Sequence, residues 1–118
     1  MAGPTRSIDP SQPVLVGLGA ATGAAPVAEL MTDAVRAAAA DAGVPALLTS
    51  VDSVLVTQGS WSLTDPGRTV ARCIGSPGAR STLCELGVAR QEVINAALAA
   101  VAAGRSETVV VVGGEARA

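Results

Sequence analysis

The chain has 118 residues, of which 49% are hydrophobic and 15% are charged, and its formal net charge is −2. This length suits one domain or part of one, and this apolar content excludes a chain that is disordered for lack of hydrophobic residues. The sequence has no His, Lys, Tyr or Phe. Catalytic systems built on an internal His or Lys, phosphate loops of the Walker type and His-ligated zinc sites are therefore excluded.

The distribution of charge and apolar residues bears on partners and location. All eight cations are arginines spread along the whole chain, which argues against nucleic acid as a partner. The apolar stretches are too short to span a bilayer, so we expect no membrane partner and a cytoplasmic location. Residues 14–28 could also form the apolar part of a secretory signal, but glycines interrupt them, so we favour the cytoplasm over export. In the cytoplasm, Cys73 and Cys84 are expected to be free thiols.

The first half of the chain carries a strand, helix, strand pattern. Residues 1–12 contain two prolines and no periodicity, which predicts a flexible lead-in. Residues 14–19, VLVGLG, predict a strand buried on both faces, as in a parallel sheet. Residues 27–42 have apolar side chains at helical spacing and a glycine and a proline after them, which predicts a helix. Residues 53–59, SVLVTQG, predict a second buried strand, so that these elements form a parallel crossover unit.

The second half repeats this alternation of helices and strands. Asp65 as an N-cap and a proline after it predict a short helix over residues 66–74. Residues 79–86 predict a more polar strand, and residues 107–115, ETVVVVGGE, predict another buried strand. Residues 88–103 predict a helix with an apolar stripe formed by Ile94, Ala97, Leu98 and Val101. The elements together predict an α/β fold, with a mainly parallel sheet of about four strands and helices on both faces.

A glycine run after the first predicted strand invites a nucleotide-binding hypothesis. Gly17, Gly19 and Gly23 could let a backbone approach a pyrophosphate at a helix N-terminus. However, their spacing is G-x-G-x-x-x-G, and the second strand ends in Thr57 and Gln58 where a ribose-binding acid would be expected. We therefore favour close packing of the chain over nucleotide binding at this run.

Three further residues carry groups that could take part in chemistry. Cys84 is a candidate nucleophile, but no His can act as its base, which favours a structural role. Cys73 lies near the end of the short helix and is expected in the core. Glu115 follows a predicted strand at the edge where open α/β sheets bind ligands, although a solvent-exposed loop also contains such an acid.

Several local stretches resemble the amino-terminal part of the thiolase superfamily. The block ELGVARQEVINAALAAVAAGRSETVVVVGGE, residues 85–115, resembles the stretch in which a nucleophilic cysteine opens a long helix, followed by a glycine, a valine-rich strand and a double glycine. DPGR, residues 65–68, resembles the start of the short helix that precedes the dimer-forming strand. The resemblance runs over residues 13–118 and implies the amino-terminal portion of a thiolase-like layered fold, incomplete in this chain.

The same resemblance implies a dimer strand and a function. The family's dimer-forming strand corresponds to STLCEL, which is Ser81, Thr82, Leu83, Cys84, Glu85 and Leu86. The resemblance implies a protein of the acetyl-CoA acetyltransferase type or a thiolase-like lipid-transfer protein, with acyl-CoA as substrate or ligand and no other cofactor or metal. It also implies a homodimer or a complex with a partner subunit. Independently of the resemblance, the predicted buried strands need more cover than the predicted helices supply, and the polar strand over residues 81–86 is expected at an open sheet edge that can pair with another copy. We therefore expect a chain that is not a stable monomer by itself.

The resemblance breaks down at the position that performs the family's chemistry. Alignment on the long helix puts the catalytic cysteine on Gly87, and the small residues that normally follow it are replaced by Val88, Ala89 and Arg90. This segment therefore has no nucleophile and is expected to be inactive alone. Two alternatives stay open, namely a subunit of a cysteine-less thiolase-like enzyme that cleaves CoA esters by an aldol mechanism, and a non-catalytic module that binds acyl-CoA or lipid.

Overall fold

A computed structural model of the chain describes residues 12–85 and 90–114. In chain order its elements are α1 (Val27–Ala42), a 3₁₀ segment (Pro45–Ser50), β1 (Ser53–Thr57), α2 (Pro66–Ile74), β2 (Arg80–Cys84), α3 (Arg90–Ala102) and β3 (Val109–Gly113). All but one residue of the predicted lead-in, residues 1–12, lies outside the described part of the chain.

The two helices α1 and α2 have the predicted bounds because their ends are encoded locally. The Asp65 carboxylate accepts a hydrogen bond from the backbone N–H of Arg68 at 3.1 Å, which caps the start of α2. Gly43 after α1 and Gly75 after α2 have φ angles of 76° and 92°, a left-handed conformation that glycine adopts without strain. None of the helices within residues 12–85 and 90–114 is long and apolar enough to cross a membrane.

The three strands of the described residues form one parallel sheet in the order β2-β1-β3. In the register, Val56 of β1 lies opposite Leu83 of β2 on one side and Val112 of β3 on the other. The predicted α/β class with a mainly parallel sheet is confirmed. The polar strand was predicted at a sheet edge, and β2 does form one edge of the described sheet.

The core lies between the sheet and the helices α1 and α2. Val54 and Val56 of β1 are completely buried, and α1 contacts α2 while α2 contacts both β1 and β2. The other buried apolar side chains of this cluster are Val27, Met31, Val35, Val51, Val70, Ala71, Ile74, Ala79 and Val112. Helix α3 contacts β1 and β3, and its buried Val93 is not a member of that cluster. The sheet is therefore flanked by helices, with β1 at its centre.

The predicted buried strand over residues 14–19 is wrong. This segment is not part of the sheet, and the side chains of Val14, Leu15, Val16 and Leu18 are 59–74% exposed. A Cβ atom at Gly17 or Gly19 would overlap the backbone of α1. The segment therefore lies with its glycine backbone against α1, and its large apolar side chains are exposed.

Two apolar patterns in the second half were also assigned to the wrong surroundings. The valine run of β3 was predicted to be buried on both faces, but β3 is an edge of the described sheet and Val111 is 39% exposed. On α3, Ile94 of the predicted stripe is 41% exposed, whereas Val93 and Ala97 are buried. Because alanines and larger apolar residues together occupy most of the circumference of α3, the sequence pattern does not define which face is buried.

Candidate functional site

The carboxyl ends of the three strands form the candidate functional site. Thr57, the last residue of β1, lies opposite Cys84 of β2 and Gly113 of β3 in the register. Ligands of open α/β sheets bind outside the carboxyl ends of the strands. This edge therefore brings together Gln58, which follows Thr57, with Cys84 and the double glycine, although these residues are far apart in sequence.

The strand ends are joined by hydrogen bonds from residues 58–61. The backbone N–H of Gln58 donates to the Cys84 carbonyl at 2.9 Å, which extends the ladder between β1 and β2. The Gln58 side-chain amide donates to the carbonyls of Gly59 and Trp61 at 3.3 and 3.2 Å. The Trp61 indole N–H donates to the Gly114 carbonyl at 2.7 Å. We call this network, formed by Gln58, Trp61, Cys84 and Gly114, the strand-end latch.

The side of the edge next to β3 requires a glycine for packing. A Cβ atom at Gly113 would overlap the hydroxyl oxygen of Thr57. A Cβ atom at Gly114 would come within 3.3 Å of the Val27 side chain on α1. The double glycine that forms part of the thiolase resemblance therefore allows β3 to pack closely against β1 and α1.

The two cysteines are free thiols, as predicted. Cys84 is half-buried at the carboxyl end of β2, within the candidate site. Cys73 was expected in the core, and this prediction is wrong because its side chain is exposed. Position 73 lies in the last turn of α2 on the side away from the core, since its neighbours Ile74 and Ala71 are the buried residues there.

The strand that the resemblance assigns to dimer formation corresponds to β2. Ser81, Thr82, Leu83 and Cys84 lie within β2 and Glu85 follows it, while Leu86 lies outside the described residues. The Ser81 hydroxyl donates to the Asp65 carboxylate at 2.5 Å. This hydrogen bond is the main reason why the pKa of Asp65 lies below its ordinary value. Asp65 thus links the start of α2 to the edge strand.

Two candidate positions of the sequence analysis cannot be located relative to this site. Gly87, the position of the family's nucleophile, and Glu115, the acid after β3, lie outside the described residues, as do Val88 and Ala89. Glu85, two positions before Gly87, directly follows β2, and Gly114, the residue before Glu115, directly follows β3.

The glycine run that suggested a nucleotide site packs against α1. Gly17 and Gly19 contact the backbone of α1 near Ala38, and the backbone N–H of Leu18 donates to the Asp41 carboxylate at 2.9 Å. Asp41 is in the last turn of α1, at the end of the helix opposite to the N-terminus that would hold a phosphate. The contacts of this glycine run therefore support close packing of the chain and not nucleotide binding.

A cleft of about 530 Å³ lies at the opposite end of the strands, next to their amino ends. Its lining includes Asp52 before β1, Arg80 at the start of β2 and Glu107 before β3. The Asp52 carboxylate accepts hydrogen bonds from the backbone N–H groups of Glu107 at 2.8 Å and Thr108 at 3.0 Å. These bonds, the one from Thr108 first, lower the pKa of Asp52. Asp52 therefore acts as a structural acceptor that fixes the approach to β3.

Sequence reasoning placed Thr57, Gln58, Cys84 and the double glycine near strand ends but did not find the strand-end latch. Trp61 and Gly114 are 53 positions apart, so no local pattern links them. The signal that was present is that Trp61 is the only aromatic residue of the chain. A lone Trp in a loop after a central strand needs a partner for its indole N–H.

Comparison with known proteins identifies the fold. No family model matches the chain, and no curated protein matches it. Among solved structures, the crystal structure of a monomeric SCP2-thiolase-like protein type 1 from Mycobacterium smegmatis is 32% identical in sequence, with a TM-score of 0.79. The match covers 91% of this chain and 24% of that protein. The chain therefore spans about a quarter of the length of this structural relative, and its fold is thiolase-like.

Proposed function

We propose that this chain is the amino-terminal portion of a thiolase-like protein that handles acyl-CoA thioesters, and that this segment has no acyl-transfer activity of its own. The observation that carries the proposal is the thiolase-like fold, combined with Gly87 where the family has its cysteine. A covalent acyl-enzyme needs both a nucleophile and a base. The sequence offers no cysteine at that position and no histidine anywhere.

The binding half of the proposal rests on the carboxyl edge of the sheet. This edge is where open α/β folds bind ligands, and it holds the half-buried Cys84 and the strand-end latch. The resemblance of the sequence to proteins of the acetyl-CoA acetyltransferase type makes acetyl-CoA the first ligand to test. Without the nucleophile, the segment can bind an acyl-CoA thioester but cannot form an acyl-enzyme. This favours a non-catalytic acyl-CoA binding module as the second candidate function.

The proposal is tested by intact-mass measurement after incubation with acetyl-CoA, using the wild-type chain and the variants Cys84→Ser and Cys73→Ser. We expect no acetyl adduct on any of the three, together with saturable acetyl-CoA binding by calorimetry. A stoichiometric adduct on the wild type that disappears in Cys84→Ser would show that Cys84 is a shifted nucleophile. Absence of binding in all three chains would overturn the assignment to acyl-CoA.

The partner of the proposed protein is a second copy that pairs along β2. Arg80 donates its backbone N–H to the Asp52 carbonyl, and the Cys84 carbonyl accepts from Gln58, both at 2.9 Å. In a parallel ladder, alternate residues bond to the same neighbour, so residue 82 also faces β1. Ser81 and Leu83 therefore turn their backbone groups to the open edge, where another strand can pair with them.

Sedimentation of the chain tests this association. We expect the wild type to sediment as a dimer or larger species, and Leu83→Pro to shift it toward monomer because proline removes an N–H from the open edge. Thr82→Lys is a milder second variant, since residue 82 has an exposed side chain and a charge there opposes edge pairing. A wild-type chain that sediments as a compact monomer, like the monomeric relative, would refute pairing through β2.

A further inference from the structure

The strand-end latch ties residues from all three strands to one loop. Gln58 follows β1 and donates its backbone N–H to the carbonyl of Cys84 in β2, while its side-chain amide donates to the carbonyl of Trp61. Trp61 in turn holds the carbonyl of Gly114 after β3 through its indole N–H at 2.7 Å. The loop after the central strand is thereby fixed over the carboxyl edge of the sheet.

The orientation of the Trp61 ring is determined at two points. One part of the side chain packs against the buried core cluster, and the indole N–H is committed to Gly114. The residue is nevertheless only half-buried, so part of its surface is open to solvent. A ring held in this way offers a flat, rigid surface to a ligand at little cost in side-chain entropy, since Trp has only two side-chain torsions.

We infer that Trp61 is a binding residue of the acyl-CoA site and that the strand-end latch is the device that positions its ring. This inference rests on the proposed acyl-CoA function. The carboxyl edge is where that ligand is expected, and the half-buried Trp61 lies at that edge, in the loop that follows β1 and next to Gly114. Gln58 is then a positioning residue, because it acts on the ligand only through the carbonyl and ring of Trp61.

The inference predicts a spectroscopic signature that a purely structural tryptophan would not show. Trp61 is the only Trp in a chain without Tyr or Phe, so its fluorescence is free of other aromatic emission. We expect acetyl-CoA to shift this emission and to protect it from quenching by acrylamide, because the bound ligand covers the open part of the ring. Saturable binding by calorimetry with unchanged emission and unchanged quenching would overturn the inference.

Variants separate the ring from the latch. Trp61→Ala removes both and is expected to weaken acetyl-CoA binding by about tenfold or more, whereas Trp61→Phe keeps a ring without the N–H and should weaken it by about threefold to tenfold. Gln58→Glu removes the amide donor and should resemble Trp61→Phe, while leaving the fluorophore in place to report a changed environment. Leu63→Ala, in the exposed part of the same loop, is the matched control and should bind as the wild type.

The outcomes distinguish this inference from the function on which it rests. If the wild type binds no acetyl-CoA, the proposed function fails. If the wild type binds and Trp61→Phe, Gln58→Glu and Trp61→Ala bind equally well, the proposed function stands and the role of Trp61 is refuted. A loss of thermal stability in Trp61→Ala with unchanged affinity would likewise refute it, because that is the behaviour of a residue with a structural role only.

Discussion

Two segments with nearly the same sequence have opposite surroundings in this protein. Residues 14–19 read VLVGLG and β1 contains VLVT, and both are short, apolar and β-branched. Val54 and Val56 of β1 are fully buried between two strands and two helices, whereas Val14 and Val16 are more than half exposed. Strand propensity is a local property, but burial depends on neighbours on both sides of the strand. The difference shows that an apolar run indicates that a segment can form a strand but does not indicate which neighbours will bury it.

The largest expected effect comes from a charge placed in each of these two segments. Val54→Asp buries an unpaired carboxylate at the centre of the sheet and should lower the free energy of unfolding by more than about 4 kcal/mol. Val16→Asp changes an exposed side chain and should cost less than about 0.5 kcal/mol. Urea unfolding followed by circular dichroism measures both. Equal losses in the two variants would show that residues 14–19 are covered in solution.

Glycines sharpen the same comparison. Gly113→Ala places a methyl group on the Thr57 hydroxyl next to β1, and we expect a loss of about 1–3 kcal/mol in the free energy of unfolding. Gly19→Ala overlaps the backbone of α1 near Ala38. Because the segment containing Gly19 lies outside the sheet, it can move away, so we expect a loss of under about 1 kcal/mol.

Two measurements check these glycine predictions. Adding Thr57→Ala to Gly113→Ala should recover part of the lost stability, because the overlapping hydroxyl is gone. Gly19→Ala should make residues 14–19 more sensitive to thermolysin without changing the cleavage of β1. If Gly19→Ala unfolded the whole chain, the segment would have to be counted as part of the cooperative core.

The parts of the fold that the sequence predicted are those with local signals. Helix α2 begins at Asp65 and ends before Gly75 because a cap and a left-handed glycine are written into adjacent positions. The central strand β1 was found because its apolar run lies between turn residues. Three predictions about burial were wrong: that residues 14–19 are buried, that β3 is buried on both faces, and that Ile94 belongs to the buried face of α3. Each of these properties depends on the presence or absence of a neighbour distant in sequence.

The candidate site was predictable only to the level of its location. The rule for open α/β sheets points to the residues after each strand, and Gln58, Cys84 and Gly114 lie there. The hydrogen bond from Trp61 to Gly114 was not predictable, because it spans 53 positions and depends on the register between β1 and β3. Long-range side-chain contacts of this kind follow from the packed sheet and not from local sequence.

A smaller difference is expected between two carboxylates that hold backbone N–H groups. Asp52 accepts two such bonds, from Glu107 and Thr108, next to the sheet, whereas Asp41 accepts one, from Leu18. Asp52→Ala should lower the free energy of unfolding by about 1–2 kcal/mol and Asp41→Ala by a few tenths of a kcal/mol, because Asp52 holds two N–H groups and Asp41 holds one. Both losses are small since both carboxylates are exposed to solvent. Urea midpoints of the two variants, measured in parallel, check the order. A larger loss of stability for Asp41→Ala would contradict the view that residues 14–19 contribute less to stability than the sheet does.

The smallest expected effect is a dependence of stability on acid that belongs to the sheet region. The pKa of Asp52 is lowered by the N–H groups of Thr108 and Glu107, and that of Asp65 is lowered chiefly by the Ser81 hydroxyl. Because these pKa values are lower in the folded chain than in the unfolded chain, their contribution is fully present above about pH 5 and is lost as the pH falls through the folded pKa. The unfolded chain binds protons first, so the free energy of unfolding should decrease below about pH 4. Urea midpoints between pH 7 and pH 3 measure this decrease, which should be smaller in Asp52→Asn and Asp65→Asn than in the wild type. An unchanged decrease in the double variant would show that other carboxylates cause the acid sensitivity.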